Sequence, residues 1–231
     1  MRRGLCVMVA ALTISACGGG AAQPAAVDPV QALRDGAAAM AKLSTVTATL
    51  KFTKGTVSFQ GFTLAGAKTA VRLPGDSDTT YTVKQQDLSL SIEVVIVGGH
   101  VFLHIPFSSF QEVTGPDAAA IPDLAKLFDP STGLPAVIPA GRSPKYLGLE
   151  GAGGVSCYRI SATYTADQVH TMLPQLSSGG DVQAVIWVGV SDHLIRKATL
   201  DGAFGDGGMA SSVEVDIAGF NSAVSITSPS P

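Results

Sequence analysis

The chain has 231 residues, of which 15 are basic and 18 acidic, for a formal charge of −3, and charged residues make up 14% of it against 46% hydrophobic. No basic excess is present, so nucleic acid finds no electrostatic footprint here. Aromatics are 6% and cysteines number three, too few for a disulfide-stapled scaffold.

The first element is an export and anchoring signal. Arg2 and Arg3 precede an apolar stretch from Gly4 to Ile14, and Ile14-Ser15-Ala16-Cys17 closes it in the form of a lipobox. In such a signal the cysteine thiol takes a diacylglyceryl group and the chain is cut just before it. Residues 1–16 are then a lipoprotein signal peptide and the mature chain, with a net charge of −5 once Arg2 and Arg3 are gone, begins at Cys17. The apolar stretch is far shorter than the ~20 residues that span a bilayer. Residues 17–27, beginning Cys17-Gly18-Gly19-Gly20-Ala21-Ala22, read as a flexible lipidated tether. Cys6 leaves with the signal and lipid consumes Cys17, so Cys157 stands alone, and its bland reading is a small buried hydrophobe.

A helix follows. Val30, Leu33, Ala37 and Met40 recur at helical spacing between Pro29 and Ser44, with Asp28 placed as N-cap and Pro29 at the first helical position. The period then switches to two, in Val46/Ala48/Leu50/Phe52, Val57/Phe59 and Leu88/Leu90/Ile92/Val94/Ile96, and Gly98-Gly99 turns the chain into Val101/Leu103/Ile105. Prolines interrupt the pattern from Pro116 to Pro144, where Ile121 to Phe128 and Leu134 to Ile138 can each supply two helical turns at most. Strands resume at Tyr146 to Leu149 and Val155 to Ala162, before a short helix from Ala166 to Leu173 capped by Thr165. The chain closes as a meander: Val182 to Val190, a turn at Ser191-Asp192, Leu194 to Leu200, a glycine-rich loop, Val213/Val215/Ile217, and a last strand near Val224 to Thr227. No repeat and no internal boundary appears, and residues 28–228 read as one domain.

Enzyme signatures are missing from the sequence: there is no Gly-x-Ser-x-Gly elbow, no His-Glu-x-x-His and no metal-spaced cysteine pair. Gly205-x-Gly207-x-x-Ala210 has the letters of a dinucleotide fingerprint, but a strand follows it where a helix is needed. His100 and His104 could ligate a metal across a hairpin; without an accompanying carboxylate they read better as solvent-facing. Trp187 lies on the opposite parity from Ile186 and Val188 and reads as packing rather than as a ligand platform. Neither a catalytic residue, a metal nor a cofactor is expected.

A long antiparallel sheet with a few amphipathic helices interspersed either closes into a barrel or curls over the helices, and the need of those helices for a sheet face favours the second. Four segments sharpen this: Phe128-Asp129-Pro130-Ser131-Thr132-Gly133-Leu134, Tyr158-Arg159-Ile160-Ser161-Ala162, Val185-Ile186-Trp187-Val188 through Asp192-His193-Leu194-Ile195-Arg196, and Ser212-Val213-Glu214-Val215 through Phe220-Asn221-Ser222-Ala223-Val224. In this order and behind a lipobox, the chain resembles the LppX/LprA/LprF/LprG lipoproteins of the actinobacterial envelope. The resemblance implies an α+β fold, a curved antiparallel half-barrel with a few helices on its concave face, similar also to the LolA/LolB carriers. It implies a cavity between the layers for acyl chains of glycolipids, acylglycerols or other envelope lipids, carried or presented outside the cytoplasmic membrane, with a lipid export pump as a possible partner. The glycine-rich turns at Gly153-Gly154 and Gly205-Asp206-Gly207-Gly208, and Phe220 in place of a tryptophan, depart from that family's pattern.

A tail of about 15 methylenes costs ~12 kcal/mol to expose at ~0.8 per CH₂, so its passage through water requires shelter. Strand parity assigns the expected lining to Leu50, Phe52, Val83, Leu90, Ile92, Val94, Ile96, Ile186 and Val188, faced by Leu33, Ala37 and Met40 from the first helix. The competing expectation is a structural or signalling lipoprotein with a filled core that acts through a protein partner.

Overall fold

The structure is a computed structural model that describes residues 27–86, 88–172 and 178–229. The lipobox, Cys17, the signal peptide and the tether up to residue 26 lie outside the described residues, as does Leu173 at the end of the short helix.

Helix α1 spans Pro29–Met40. The Asp28 carboxylate accepts from the Val30 N–H at 2.9 Å, satisfying one of the orphan donors of the first turn. One face, Ala32, Leu33, Gly36, Ala37 and Met40, is buried. Strands β1 (Thr45–Lys54), β2 (Ser58–Phe59), β3 (Phe62–Arg72), β4 (Asp76–Gln85), β5 (Leu88–Val97), β6 (His100–His104) and β7 (Gln111–Val113) follow. The proline-rich middle supplies α2 (Gly115–Ala119), a 3-10 turn over Leu124–Phe128, α3 (Leu134–Val137) and a second 3-10 turn over Ile138–Ala140. Then come β8 (Arg142–Ala152), β9 (Val155–Tyr164), α4 (Ala166–Met172), β10 (Val182–Gly189), β11 (Ile195–Gly202) and β12 (Ser211–Ala218). Thr165 and Gln168 close a reciprocal box at the start of α4: the Gln168 N–H donates to Thr165 Oγ1 at 3.3 Å and the Thr165 N–H to Gln168 Oε1 at 2.8 Å.

All strands join one antiparallel sheet in the order β7-β6-β5-β4-β3-β1-β12-β11-β10-β9-β8, with the short β2 beside β3. The path runs from β7 at one edge to β8 at the other, so the sheet is open and curled. Register shifts at Phe52/Lys54, Leu64/Gly66, Trp187/Val188 and within β8 mark bulges, and bulges bend strands and increase their twist.

Three elements differ from expectation. Between Phe59 and Leu88 the sequence pattern marks no strand bounds and only Val83 is placed by parity, yet β3 and β4 are long and central. On β4 the inward positions are Ser77, Thr79, Tyr81 and Val83, and on β3 they include Ala67 and Thr69, so hydroxyls and methyls hide the apolar alternation. Thr69 and Thr79 satisfy each other through a buried hydroxyl pair at 2.8 Å. The expected last strand near Val224 to Thr227 does not form; the segment runs without a ladder partner, anchored by buried Ile226, whose carbonyl accepts from Arg72 at 3.2 Å. Carboxylates do accompany the two histidines, one each: Glu112 lies 2.7 Å from His100 and Glu93 3.7 Å from His104. These are separate cross-strand pairs, and among the described residues no three metal-ligating side chains converge. Cys157 is free and fully buried.

The core forms two clusters. One joins α1, α3 and α4 to β9–β12 and the start of β1; the other joins Ile121 and Leu124 to Tyr81, Val83, Ile92, Val94 and Ile96. Leu50 and Leu127 pack against both from the space between them.

Candidate functional site: an apolar cavity between sheet and helical layer

The register lays a row of inward side chains straight across the sheet. Ile92, Tyr81, Ala67, Leu50, Val215, Ala198, Ile186 and Ile160 are successive cross-strand partners from β5 to β9. A parallel row runs Phe52, Val213, Leu200, Ala184 and Ala162. At the ends of the long row Ile92 and Ile160 are wholly buried, whereas in its middle Leu50, Val215 and Ala198 stay only half-buried, as do Phe52 and Leu200 in the second row. Apolar residues in the centre of a concave face stay half-buried when no side chain packs down on them.

What lies over them is a cavity of about 350 Å³. The sheet supplies its floor from β1, β3, β4 and β9 to β12; the cover is Ala120, Pro122, Leu124 and Leu127, with Leu134 and Val137 from α3, Ile138 from the 3-10 turn after it, and Val169 and Met172 from α4. No lining residue carries a charge; the polar members are Ser58, Gln60, Tyr81 and Tyr164. Ser58, Gln60 and Ala120 are the exposed members and mark the mouth.

Two buried tyrosines tie floor to cover. Tyr81 donates its hydroxyl to the Pro122 carbonyl at 2.9 Å and Tyr164 to the Ile138 carbonyl at 3.0 Å. Burial pushes both phenols far above their ordinary range, so they act as fixed neutral donors. The cover holds its own shape through short-range caps. Asp123 accepts from the Ala125 N–H at 3.0 Å, and burial pushes its carboxyl upward against that bond. Asp129 accepts from the backbone and hydroxyl of both Ser131 and Thr132, and those bonds, that of the Ser131 hydroxyl first, hold its carboxyl below the usual range.

Of the residues assigned by parity, Leu50, Phe52 and Ile186 line this cavity. Val83, Ile92, Val94 and Ile96 sit instead in the second core cluster with Leu90 packed against it, because Ile121 and Leu124 press onto that part of the sheet. Leu33, Met40 and Val188 belong to the first cluster, and Ala37 is buried on α1, which covers β8 to β11 without reaching the cavity. Parity missed Ala184, Ala198, Leu200, Val213, Val215 and Ile217, although their strands are marked in the sequence. It also missed the two tyrosines, which look like ordinary strand aromatics until the carbonyls opposite them are known. Trp187 is turned to the other face of the sheet, under the Lys197 ammonium at 5.5 Å.

The model of the LppX_LprAFG lipoprotein family matches residues 28–226. The chain belongs to this family. Relatives described as lipoarabinomannan carrier protein LprG include one from Mycolicibacterium smegmatis, 28% identical over 112 residues, covering 48% of this chain and 45% of that protein. Another, from Mycobacterium leprae, is 24% identical over 149 residues, 64% of this chain and 60% of the relative. A third, from Mycobacterium bovis BCG, is 26% identical over 165 residues, 68% and 67% of the two chains. The matched stretch thus spans about half of the first of these relatives and three fifths of the second. The fold is that of LprF from Mycobacterium bovis, at a TM-score of 0.70 and 18% identity over 88% of this chain and 97% of that one. It is also that of LppX from Mycobacterium tuberculosis, at 0.61 and 18% over 87% and 100%. Among the described residues no helix is long and apolar enough to cross a membrane.

Proposed function

We propose that the protein is a lipid carrier of the cell envelope, anchored to the outer face of the cytoplasmic membrane through Cys17, whose cavity takes acyl chains of a glycolipid or acylglycerol and carries or presents them outward. The lipid is taken from the membrane, and a lipid export pump is a candidate partner in passing it outward. Residues 1–16 serve as signal peptide, 17–27 as tether and 28–228 as the lipid-binding domain.

The observation that carries this reading is the half-buried middle of the sheet rows, Leu50, Val215 and Ala198 with Phe52 and Leu200, beneath the cover. Space of about 350 Å³ that side chains do not fill forfeits packing of about 8 kcal/mol at ~24 cal/mol per Å³. That is comparable with the whole stability of a domain. An acyl chain returns it: burying about ten methylenes at ~0.8 kcal/mol each offsets the same amount. The uncharged lining suits a tail inside and the exposed polar Ser58 and Gln60 at the mouth a head group outside, while the two buried tyrosine hydroxyls are spent on the Pro122 and Ile138 carbonyls. The name of the LprG relatives, carriers of a lipoglycan, points to the same class of ligand.

Native mass spectrometry of protein purified from its own host tests the proposal. Co-purifying acyl lipid, lost on replacing Ala198 and Leu200 by tryptophan, supports it; a bare polypeptide mass under gentle ionisation, together with no uptake of fluorescent fatty acid, overturns it. The anchor is tested by Cys17→Ser, which removes the thiol that the acyl transfer needs and leaves the product without an acyl label.

A further inference from the structure

Phe107 is fully exposed, and its backbone is left-handed at φ +69. A bulky side chain rarely adopts that conformation, and water gives a bare phenyl ring no reason to stand there. It caps the loop between β6 and β7 beside Ile105, 45% exposed. The strand register places this loop at the same end of the sheet as the cavity mouth: β6 leaves the ladder at His104 opposite Glu93, β5 begins there at Leu88 opposite Gln85, and β3 begins beside Lys84. Leu88 is 58% exposed, and Met209, 54% exposed, lies in the loop before β12. That last loop is fastened to the mouth itself. Asp206 accepts from the Ser58 backbone at 2.9 Å and from its hydroxyl at 2.7 Å, and donates its own N–H to the Thr56 carbonyl at 2.8 Å.

We propose that this end of the sheet, with Phe107 and Ile105 on the β6–β7 loop and Leu88 and Met209 on other loops of the same end, is the surface by which the cavity mouth seats in the head-group region of a lipid bilayer. It serves the carrier reading given above, but its geometry is independent of what the cavity holds.

Two features select a bilayer as the occupant. Lys54 and Lys84 are exposed at this end and form no ion pair among the described residues; of the carboxylates there, Asp181 is paired with Arg142, while Asp206 and Asp201 accept from the hydroxyls of Ser58 and Ser212 and keep their charge. Lys84 near the exposed Leu88 turn, and Lys54, give anionic head groups local partners, and such attraction adds to apolar insertion. The chain before the domain has the necessary reach. Cys17 to Val27, eleven residues, extend to at most about 36–40 Å, which exceeds the roughly 33 Å length of a ten-residue strand such as β1. An anchored domain can therefore turn its mouth toward the membrane that holds it.

The test uses the full lipidated protein in phosphatidylcholine–phosphatidylglycerol vesicles, with and without bromine on the acyl chains, with the single native Trp187 signal subtracted. Phe107→Trp should add a blue-shifted emission that brominated lipid quenches severalfold more than that of Leu149→Trp, placed on the exposed β8 edge. Emission from Phe107→Trp that stays red-shifted and is quenched by aqueous iodide as fully as that of Leu149→Trp overturns the proposal, as does a blue shift already present without vesicles. Phe107→Asp, which the left-handed backbone tolerates, should slow fatty-acid uptake from vesicles severalfold and leave equilibrium binding of dissolved fatty acid unchanged. An unchanged uptake rate counts against the docking role. Absence of fatty-acid binding in wild type and variant alike refutes the carrier reading instead, and the quenching data then judge the docking surface alone.

Discussion

Tyr81 on β4 and Tyr164 on β9 stand on opposite flanks of the cavity, and each donates its hydroxyl to a carbonyl of the covering layer, Pro122 at 2.9 Å and Ile138 at 3.0 Å. Those carbonyls belong to segments with few long-range ladders of their own, so the tyrosines decide how far the cover stands from the floor. Tyr81→Phe and Tyr164→Phe should each cost about 1 kcal/mol, the net worth of a hydrogen bond plus a stranded carbonyl. Denaturant unfolding checks the cost. The same variants should show faster proteolysis between residues 115 and 140, and unchanged cleavage there argues against the tie.

Filling the cavity separates it from a packed core. Ala198→Trp and Leu200→Trp place bulk where the floor is half-buried, and should keep a melting temperature close to wild type while losing bound acyl lipid. Val83→Trp and Val94→Trp, at positions buried to 0% and 1% exposure, should instead destabilise by about 1–3 kcal/mol through overpacking. Thermal unfolding of the four variants in lipid-free form gives the comparison. Equal destabilisation of both pairs makes the floor an ordinary core.

The Asp129-to-Leu134 segment is built around a glycine. A Cβ on Gly133 would sit 2.5 Å from the carbonyl oxygens of both Lys126 and Leu127, so Gly133→Ala should cost about 1–3 kcal/mol. Asp129→Ala removes four acceptor contacts and should cost about 1 kcal/mol, in line with lost caps elsewhere. Because those bonds lower the folded carboxyl pKa, the Asp129 contribution is present above the unfolded value and is lost as pH falls through the folded one. The stability gap between wild type and Asp129→Ala should therefore close in acid.

Asp78 gives the opposite sign. Burial first, and then the Glu93 charge, push its carboxyl up. Its protonated form is favoured by the fold, so its contribution to stability is intact below the unfolded pKa and is lost as pH rises through the folded one. Asp78→Asn should thus stabilise at neutral pH, by no more than about 1 kcal/mol given the solvent screening of a half-exposed site. The advantage should disappear below about pH 4. A variant that gains nothing at pH 7, or gains equally at pH 3, contradicts the assignment.

Cys157→Ala should be nearly silent, costing about 1 kcal/mol or less, because the buried thiol makes only long contacts to the Ala152 and Val155 carbonyls at 3.8 and 3.7 Å. Urea midpoints of the two proteins measure it.

Local chemistry was enough to determine several features from the residues alone. Asp28-Pro29 fixes where α1 starts, Gly98-Gly99 where β5 turns into β6, Thr165 where α4 begins, and alternation marks β1, β5 and β12. In each case the deciding interaction lies within a few positions along the chain. β3 and β4 escaped because Ser77, Thr79 and Thr69 occupy inward positions and find their partners only across the sheet. The cavity escaped in a different way. Parity correctly groups Leu50, Phe52, Val83, Ile92, Val94 and Ile186 on one face, but a face does not say which of its stretches is covered. Ile121 and Leu124 descend onto β4 to β6 and close that part, α1 closes the part over β8 to β11, and the floor between, at Leu50, Val215 and Ala198, is left to be lined rather than filled. Where those covering segments land depends on the long-range ties of Tyr81 and Tyr164 and on the curl of the sheet, contacts between residues tens of positions apart, so only the tertiary structure could decide it.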